Sequence, residues 1–217
     1  MSSPGVLLDL DGTLVDTNHL HALAWWRAFR RFDRTFPMAR IHDLIGMGGD
    51  KLVPELVGHD LDGASDAWSE EFDRLFDDVT LLPGARDLVQ RLHDSDRTVV
   101  LASSSPTEVL DRFRELLDVD AWIDGATTSD DADESKPDAE IFEVAMARFH
   151  LDRASTIAIG DTIWDAKAAA KAAIGFIGVT TGGAHPDELR NEGATEVYDD
   201  AAAVAEALAS DTAKWLH

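Results

Sequence analysis

Two aspartates at the end of an apolar stretch are the first residues of this sequence that could do chemistry. In VLLDLDGTLVDT, residues 6–17, one residue separates Asp9 from Asp11, so in an extended chain both side chains point to the same side. Gly12 follows and lets the chain turn at once. Carboxylates at the carboxyl end of a parallel strand lie where open α/β sheets bind ligands. Taken alone, the motif is equally typical of an Asx turn that caps a helix.

Polar groups also follow two other apolar runs, and a lysine precedes a helical pattern. The run TVVLA is followed by SSS, which begins at Ser103, and TIAI is followed by GDTIWD, which contains Asp161 and Asp165. Lys136 stands in SKPDAEIF. Each alone has a plain explanation as a helix cap, a first-turn aspartate or a surface cation. Together, at corresponding strand ends, they predict one site at one edge of a sheet.

The elements that must position these groups are short apolar runs that alternate with helical patterns. This alternation predicts βα units, and the brief β-branched runs are typical of strands that are buried on both faces. The sequence therefore predicts an α/β fold, a Rossmann-like parallel sheet core with helices on both faces. The predicted strands are 6–10, 98–102, 121–125, 156–159, 175–179 and 196–198, and the predicted helices are 83–93, 107–116, 137–149, 165–173 and 201–209.

One region interrupts the alternation. Residues 18–80 contain no convincing strand, and their apolar residues recur at helical spacing. We therefore predict a small all-helical cap domain over 18–80, inserted into a core domain formed by 1–17 and 81–217. Trp25 and Trp68 are expected to pack inside this cap domain or between it and the core.

Composition limits the kinds of partner. The chain has 217 residues, no cysteine and a net charge of −23, so it can form neither disulfides nor thiolate sites. The negative charge disfavours nucleic acid and anionic membranes as partners. No uninterrupted apolar stretch reaches the length of a membrane span, and the N-terminus lacks the layout of a signal peptide. We expect no nucleic acid, no membrane and a cytoplasmic location.

The ordered set DLDGTLVDT, LASSS, SKP and GDTIWD resembles the four motifs of the haloacid dehalogenase superfamily. The match lies in the phosphatase branch with a helical cap inserted after the first strand, which includes phosphoglycolate phosphatases and β-phosphoglucomutases. The resemblance covers essentially the whole chain. It implies an enzyme, a phosphoric monoester hydrolase that depends on Mg²⁺ and passes through an aspartyl-phosphate. The alternatives are a phosphosugar mutase and a non-catalytic phospho-accepting module similar to receiver domains.

The resemblance also implies roles for the four aspartates. Asp9 would be the nucleophile, and Asp11 would protonate the leaving group and then deprotonate the attacking water. Mg²⁺ would be held by the Asp9 carboxylate, the Asp11 backbone carbonyl and Asp161, with Asp165 supporting the metal site or holding Lys136. A cation between the carboxylate and the phosphate is needed because both are anions, and Mg²⁺ prefers oxygen ligands.

The remaining residues of the motifs would bind the phosphoryl group. Ser103 and Lys136 are predicted as catalytic residues that hold and neutralise it, and the amide of Ser104 would contact its oxygens. Gly12 and Thr13 are predicted to contribute to the same phosphate site. The expected substrate is a small phosphorylated metabolite, and the expected oligomeric state is a monomer or a homodimer.

Substrate choice is expected to rest on the cap domain. His21 could activate a sugar hydroxyl as in the mutases, or be a plain helical histidine. The glycine-rich IGMGGDKL, residues 45–52, could be a specificity loop or a turn between helices. Mutases usually carry an arginine here to hold a second phosphate, whereas this chain has Gly48 and Gly49, with Lys51 as the only nearby cation.

Overall fold

A parallel β-sheet with helices on both faces forms the centre of the computed structural model, which describes residues 2–210 and 212–216. The strands in this part of the chain are β1 (Gly5–Leu8), β2 (Val15–Asp16), β3 (Thr80–Leu81), β4 (Thr98–Ala102), β5 (Gly125–Thr127), β6 (Ile157–Gly160), β7 (Gly175–Val179) and β8 (Glu196–Tyr198). The α-helices are α1 (Asn18–Arg30), α2 (Met38–His42), α3 (Gly49–Val57), α4 (Ala64–Asp73), α5 (Ala85–Asp94), α6 (Thr107–Leu117), α7 (Glu140–Arg148), α8 (Ile163–Ala172), α9 (Pro186–Asn191) and α10 (Ala201–Ala209).

The strand order places three carboxyl ends side by side. The six-stranded sheet runs β5-β4-β1-β6-β7-β8, and every neighbouring pair is parallel. The chain passes from β1 to β4 and β5 on one side and then returns to β6 on the other. The strand order therefore reverses next to β1, which is where open α/β sheets form a ligand crevice.

Alternating residues of each strand face two separate apolar layers. Val6 and Leu8 of β1 pack in the layer that contains residues of α5, α6 and α10, whereas Leu7 packs with residues of α7, α8 and α9. All three side chains are fully buried. Burial on both faces explains why the strands appear in the sequence as continuous apolar runs. The predicted α/β fold with a parallel sheet is confirmed.

One predicted strand is misplaced. The sequence predicts a strand over 121–125, but these residues lie in a turn, where the Trp122 amide donates to the Val119 carbonyl at 2.8 Å. Asp124 then bonds the backbone of Val99 with both its amide and its carboxylate, each at 2.8 Å. The strand β5 begins only after this anchor, at Gly125. Trp122 and Ile123 pack against the core from the turn, so tertiary contact outweighs their strand propensity.

Three predicted helices have different starting points. The helix predicted over 83–93 spans Ala85–Asp94, after a turn at residues 83–84. The helix predicted over 137–149 spans Glu140–Arg148, because Asp138 first closes a turn onto the Ser135 carbonyl at 2.9 Å. The helix predicted over 165–173 starts earlier, at Ile163, because Thr162 caps it. The predicted strands at 6–10 and 156–159 shift by one or two residues.

Helices α1 to α4 lie between β2 and β3 in the chain. The two segments that connect them to the sheet pair with each other, with Val15 opposite Leu81 in an antiparallel ribbon. An aromatic stack of Trp25 on Trp68, with ring centroids 5.7 Å apart, packs α1 against α4. The division at 18–80 stays a prediction. Among the described helices, none is both long and apolar enough to cross a membrane.

Candidate active site

The carboxyl ends of β1, β4 and β6 present one polar residue each. Asp9 follows β1, and its amide donates to the Ile159 carbonyl at 2.9 Å. Ser103 follows β4, and its amide donates to the Thr127 carbonyl at 3.1 Å. Asp161 directly follows β6. The sheet ladder therefore fixes the backbone of Asp9 and Ser103, and the three groups share one edge of the sheet.

A buried lysine links two of the aspartates. Lys136 Nζ lies 2.6 Å from Asp9 Oδ1 and 2.8 Å from Asp165 Oδ1, and it donates to the Ala102 carbonyl at 3.0 Å. The lysine is 1% exposed. Burial opposes its charged form, but the facing Asp165 and Asp9 carboxylates outweigh burial and raise the pKa of Lys136 above its usual value. Lys136 is therefore a fixed cation beneath the predicted nucleophile.

Asp161 is held by two side chains from the first motif and the start of α1. Thr13 Oγ1 donates to Asp161 Oδ1 at 3.0 Å and to Asp9 Oδ2 at 3.3 Å, and Asn18 Nδ2 donates to Asp161 Oδ2 at 2.7 Å. Gly12 has φ of +74°, and a Cβ there would lie 2.3 Å from Asp161 Oδ2. Only glycine fits this turn without displacing the carboxylate.

Asp165 belongs to the first turn of α8. Its Oδ2 accepts from the Thr162 amide at 3.1 Å and from Thr162 Oγ1 at 2.5 Å, while Thr162 Oγ1 accepts from the Asp165 amide at 3.2 Å. This capping box directs the other carboxylate oxygen, Oδ1, to Lys136. The same aspartate thus caps the helix and holds the lysine.

The buried carboxylates have the donor set for a hard divalent cation. One oxygen from each of Asp9, Asp161 and Asp165 lies within 4.8 Å of the others, and all three residues are buried. Burial and the neighbouring carboxylates raise the pKa of Asp9 to about 7 despite Lys136, and they raise the pKa of Asp161 as well. One lysine does not balance three carboxylates, and an oxygen-seeking cation would supply the missing charge.

This imbalance predicts a pH dependence of stability in the presence of a chelator. The pKa of Asp9 rises from 3.8 to about 7 on folding, so between these values the folded state holds a proton that the unfolded state releases. The stabilising contribution is therefore complete below pH 4 and is lost as the pH rises towards 7. We expect the free energy of unfolding of wild type minus that of Asp9→Asn, measured by urea titration in EDTA, to decrease over this range. A flat difference would contradict the raised pKa.

Asp11 is surrounded by donors on both carboxylate oxygens. Oδ1 accepts from Thr17 Oγ1 at 2.6 Å and lies 2.7 Å from His21 Nε2. Oδ2 accepts from Ser105 Oγ at 3.0 Å and from Ser103 Oγ at 3.4 Å. Burial acts to raise the pKa of Asp11, but the charge and hydrogen bond of His21 and the two hydroxyls of Thr17 and Ser105 outweigh it and lower the pKa. The Asp11 side chain is thus fixed in one orientation.

His21 is itself fixed by aromatic packing. Its ring stacks on Phe72, with centroids 4.2 Å apart, and lies 5.5 Å from the Trp68 ring. The histidine is 5% exposed. Helix α1 therefore places the His21 side chain at the sheet edge, where it positions Asp11.

A cavity of about 300 Å³ separates the sheet edge from helices α1, α3 and α4. It gives a small molecule access to both aspartates of the first motif. Its lining includes Asp9, Asp11, His21, Trp25, Trp68 and Ser104.

The remaining sequence-predicted residues lie beside this cavity or below it. The Gly12 amide donates to the Val15 carbonyl at 2.8 Å, and its carbonyl accepts from Thr181 Oγ1. Ser104 Oγ donates to the Gly46 carbonyl at 3.4 Å, across to the loop before α3. The Thr13 hydroxyl bonds carboxylates, as described above. Roles of these residues in phosphate binding stay predictions.

Four residues of these networks are not predicted as site residues from the sequence. Thr17 and Ser105 bond Asp11, Asn18 bonds Asp161 and Thr162 bonds Asp165. All four are buried and polar, and they lie within a predicted motif or, for Asn18, directly after one. This position is the only signal that the sequence offers, because most of their bonds form only when the ends of β1, β4 and β6 meet the start of α1.

Comparison with known proteins agrees with this arrangement. A family model of haloacid dehalogenase-like hydrolases matches residues 4–173, so the chain belongs to this family. It is 26% identical to validoxylamine A 7'-phosphate phosphatase of Streptomyces hygroscopicus subsp. limoneus, with 81% of this chain and 84% of the relative covered. It is 29% identical to phosphoglycolate phosphatase of Nitrosospira multiformis, with 76% and 77% covered.

Solved structures share the fold over almost the whole chain. A hydrolase from Pseudomonas syringae superposes with a TM-score of 0.89 at 29% identity, covering 96% of this chain and 98% of that one. A candidate β-phosphoglucomutase from Bacteroides vulgatus has a TM-score of 0.85 at 22% identity, covering 98% and 91%, and this similarity concerns the fold. The predicted family and the predicted enzyme class, a phosphoric monoester hydrolase, are confirmed.

Proposed function

We propose that this protein is a Mg²⁺-dependent phosphatase that hydrolyses small phosphate monoesters through a phosphorylated Asp9. The observation that carries the proposal is the buried contact of Asp9 with Lys136, at 2.6 Å, next to two further carboxylates at the floor of an open cavity. A nucleophile that lines the cavity then has a fixed cation and further metal donors directly beside it. The phosphatase names of the relatives support the same reaction.

In the first step an Asp9 carboxylate oxygen attacks phosphorus, and the bond from phosphorus to the leaving oxygen breaks. Phosphate monoesters hydrolyse extremely slowly without a catalyst, and a covalent intermediate divides the reaction into two easier displacements. Lys136 stabilises the negative charge that accumulates between Asp9 and the phosphoryl group. Ser103 and the Ser104 amide, with Gly12 and Thr13 nearby, are proposed to hold the phosphoryl oxygens.

Asp11 moves the protons. Its donors hold the pKa of Asp11 low in the free protein, and the negative charge of a bound phosphate would raise that pKa, so that Asp11 takes up a proton on substrate binding. It gives this proton to the leaving oxygen, and in the second step it takes one from the water that attacks phosphorus. The acyl-phosphate bond then breaks, which releases inorganic phosphate and restores Asp9. Thr17 and His21 hold Asp11 in the orientation that both transfers require.

Asp9, Asp161 and the backbone carbonyl of Asp11 would hold Mg²⁺, and Asp165 would support the site through Lys136. When bound, the ion neutralises the repulsion between the carboxylate and the phosphate. Asp161 is suited to this role because Thr13 and Asn18 fix both of its oxygens without adding positive charge.

Asp161→Asn should weaken Mg²⁺ binding, because it removes one of the three clustered carboxylates while Thr13 and Asn18 remain. We expect the dissociation constant for Mg²⁺ in titration calorimetry to rise by at least about tenfold, in line with losses seen at metal sites. Phosphate release from a panel of phosphate monoesters should need correspondingly more Mg²⁺ and should stop in EDTA. The exposed Asp60→Asn serves as the matched control. Equal Mg²⁺ affinity in the two variants would show that the metal site is misplaced.

A phosphosugar mutase is the second candidate, and the observation that favours it is the 2.7 Å contact between His21 and Asp11. A mutase must bind a second phosphate, and among the described residues no lysine or arginine lines the cavity. The phosphatase is therefore preferred. β-Glucose 1-phosphate with a bisphosphate primer distinguishes the two, since a mutase forms glucose 6-phosphate without net release of phosphate.

The substrate, the location and the partners of this protein are part of the same proposal. We propose a small phosphorylated metabolite as the substrate and the cytoplasm as the location, with neither nucleic acid nor membrane as a partner. A monomer or a homodimer remains the proposed oligomeric state.

A further inference from the structure

The part of the cavity beyond the reacting groups is acidic. Asp50, at the start of α3, and Asp133, after β5, both line it in addition to Asp9 and Asp11. Both are exposed, so they lie where the cavity meets solvent. Within the described ranges 2–210 and 212–216, the lining itself includes no lysine or arginine.

The nearest cations are already paired. Lys51 Nζ contacts Glu134 and lies 3.8 Å from Asp50 Oδ2, outside the cavity lining. Asp50 Oδ2 also accepts from the Ser135 amide at 3.3 Å, which holds its carboxylate against the loop before α7. Lys136 is committed to two carboxylates below the cavity, as described above. A second anionic group on a bound substrate would therefore meet Asp50 and Asp133 and no lysine or arginine of the lining. His21 also lines the cavity, but its ring is paired with Asp11 at 2.7 Å.

Part of the cavity wall is aromatic. Trp25 and Trp68 stack with ring centroids 5.7 Å apart, and both line the cavity. The indole Nε1 of Trp68, a residue 8% exposed, is buried and has no hydrogen-bond partner among the described residues. Aromatic rings that border a cavity pack against apolar C–H groups. The hydroxyls of Ser65 and Ser129 also line the cavity and can bond hydroxyl groups.

We infer that the leaving group of the substrate is a polyhydroxylated alcohol without an anionic group, and that an ammonium group on it strengthens binding. The inference rests on the proposed function, since the phosphate itself must be neutralised by Lys136 and the metal. Asp50 and Asp133 select against carboxylates and second phosphates by repulsion, which is how charged sites commonly reject a wrong partner. The large negative charge of the whole chain, −23, acts in the same direction.

Three two-carbon esters of matched size test the charge selection. Phosphoethanolamine, 2-hydroxyethyl phosphate and phosphoglycolate place an ammonium, a hydroxyl and a carboxylate at the same distance from the phosphate. With Mg²⁺ present, we expect kcat/KM to decrease in this order, by at least about tenfold from the first ester to the last. Where turnover is slow, the inhibition constant against p-nitrophenyl phosphate replaces kcat/KM. The value of kcat/KM for glucose 6-phosphate should exceed that for 2-hydroxyethyl phosphate, because the additional hydroxyls of glucose can bond Ser65 and Ser129.

The double variant Asp50→Asn with Asp133→Asn tests whether these residues cause the selection. Asn keeps the size and the acceptor for the Ser135 amide but removes the charge, so the ratio of the ammonium to the carboxylate ester should fall towards one. The Asp60→Asn control should keep the wild-type ratio. Equal use of the two esters by wild type, or an unchanged ratio in the double variant, overturns the inference. A failure of the proposed function would be distinguishable from a failure of this inference. In that case p-nitrophenyl phosphate would not be hydrolysed, or Asp9→Asn would still hydrolyse it.

Discussion

Asp9→Asn should abolish phosphate release, with kcat lower by at least about 10⁴-fold, a loss of the size seen when a nucleophile is removed. Asn has an amide in place of the carboxylate and cannot form the acyl-phosphate, so the first displacement cannot take place. The fold should be retained, because the Asn carbonyl oxygen can still accept from Lys136, whose Nζ lies 2.6 Å from Asp9 Oδ1. The variant also removes one of three buried carboxylates that repel each other.

The measurement is Mg²⁺-dependent phosphate release by the two proteins side by side, with circular dichroism and urea unfolding to verify the fold. Asp16→Asn is the matched control, since Asp16 is exposed and lies in the same first motif outside the carboxylate cluster. It should keep wild-type activity. Rapid acid quenching should trap phosphorylated wild type and leave Asp9→Asn unlabelled. A folded Asp9→Asn enzyme with more than about a hundredth of wild-type activity would assign the nucleophile elsewhere.

The site could be predicted from the sequence as far as it depends on strand ends. Parallel strands that are buried on both faces appear as apolar runs, and the polar residues that follow them must meet at one sheet edge. Asp9, Ser103 and Asp161 are therefore predicted to lie together from the sequence alone. The structure places them after β1, β4 and β6, which are neighbours in the sheet.

Other parts of the site depend on contacts that no local pattern encodes. The bonds of Asp11 to Thr17, His21 and Ser105 depend on where the start of α1 and the residues after β4 lie relative to the end of β1. The sequence indicates only that His21 could act in the site. The acidic run SDDADE, residues 129–134, has the composition of a solvated loop, yet Asp133 within it lines the cavity. The β2-β3 ribbon has two residues in each strand, too few for a periodic signal.

Of the variants described here, Lys136→Met should have the largest decrease in the free energy of unfolding. It leaves Asp9 and Asp165 buried without their counterion and the Ala102 carbonyl without its donor. Removing one partner of a buried ion pair typically costs about 3–5 kcal/mol in the free energy of unfolding. We expect a loss of this size at pH 8 in EDTA, with kcat lower by about 10²–10³-fold once Mg²⁺ is added. The loss should shrink at pH 5, because the orphaned carboxylates can then take up protons.

The response of the Lys136→Met variant to Mg²⁺ shows whether its loss of stability is electrostatic or comes from lost packing. A divalent ion replaces part of the missing positive charge, so Mg²⁺ should raise the free energy of unfolding of Lys136→Met more than that of wild type. Lys171→Met is the control, since its pair with Asp138, at 3.4 Å, is about half exposed. Such surface pairs contribute at most about 1 kcal/mol. Two outcomes would show that the buried lysine is not the charge that holds the carboxylates together. The first is a stability loss in Lys136→Met no larger than that in Lys171→Met. The second is an equal loss at pH 5 and pH 8 with no response to Mg²⁺.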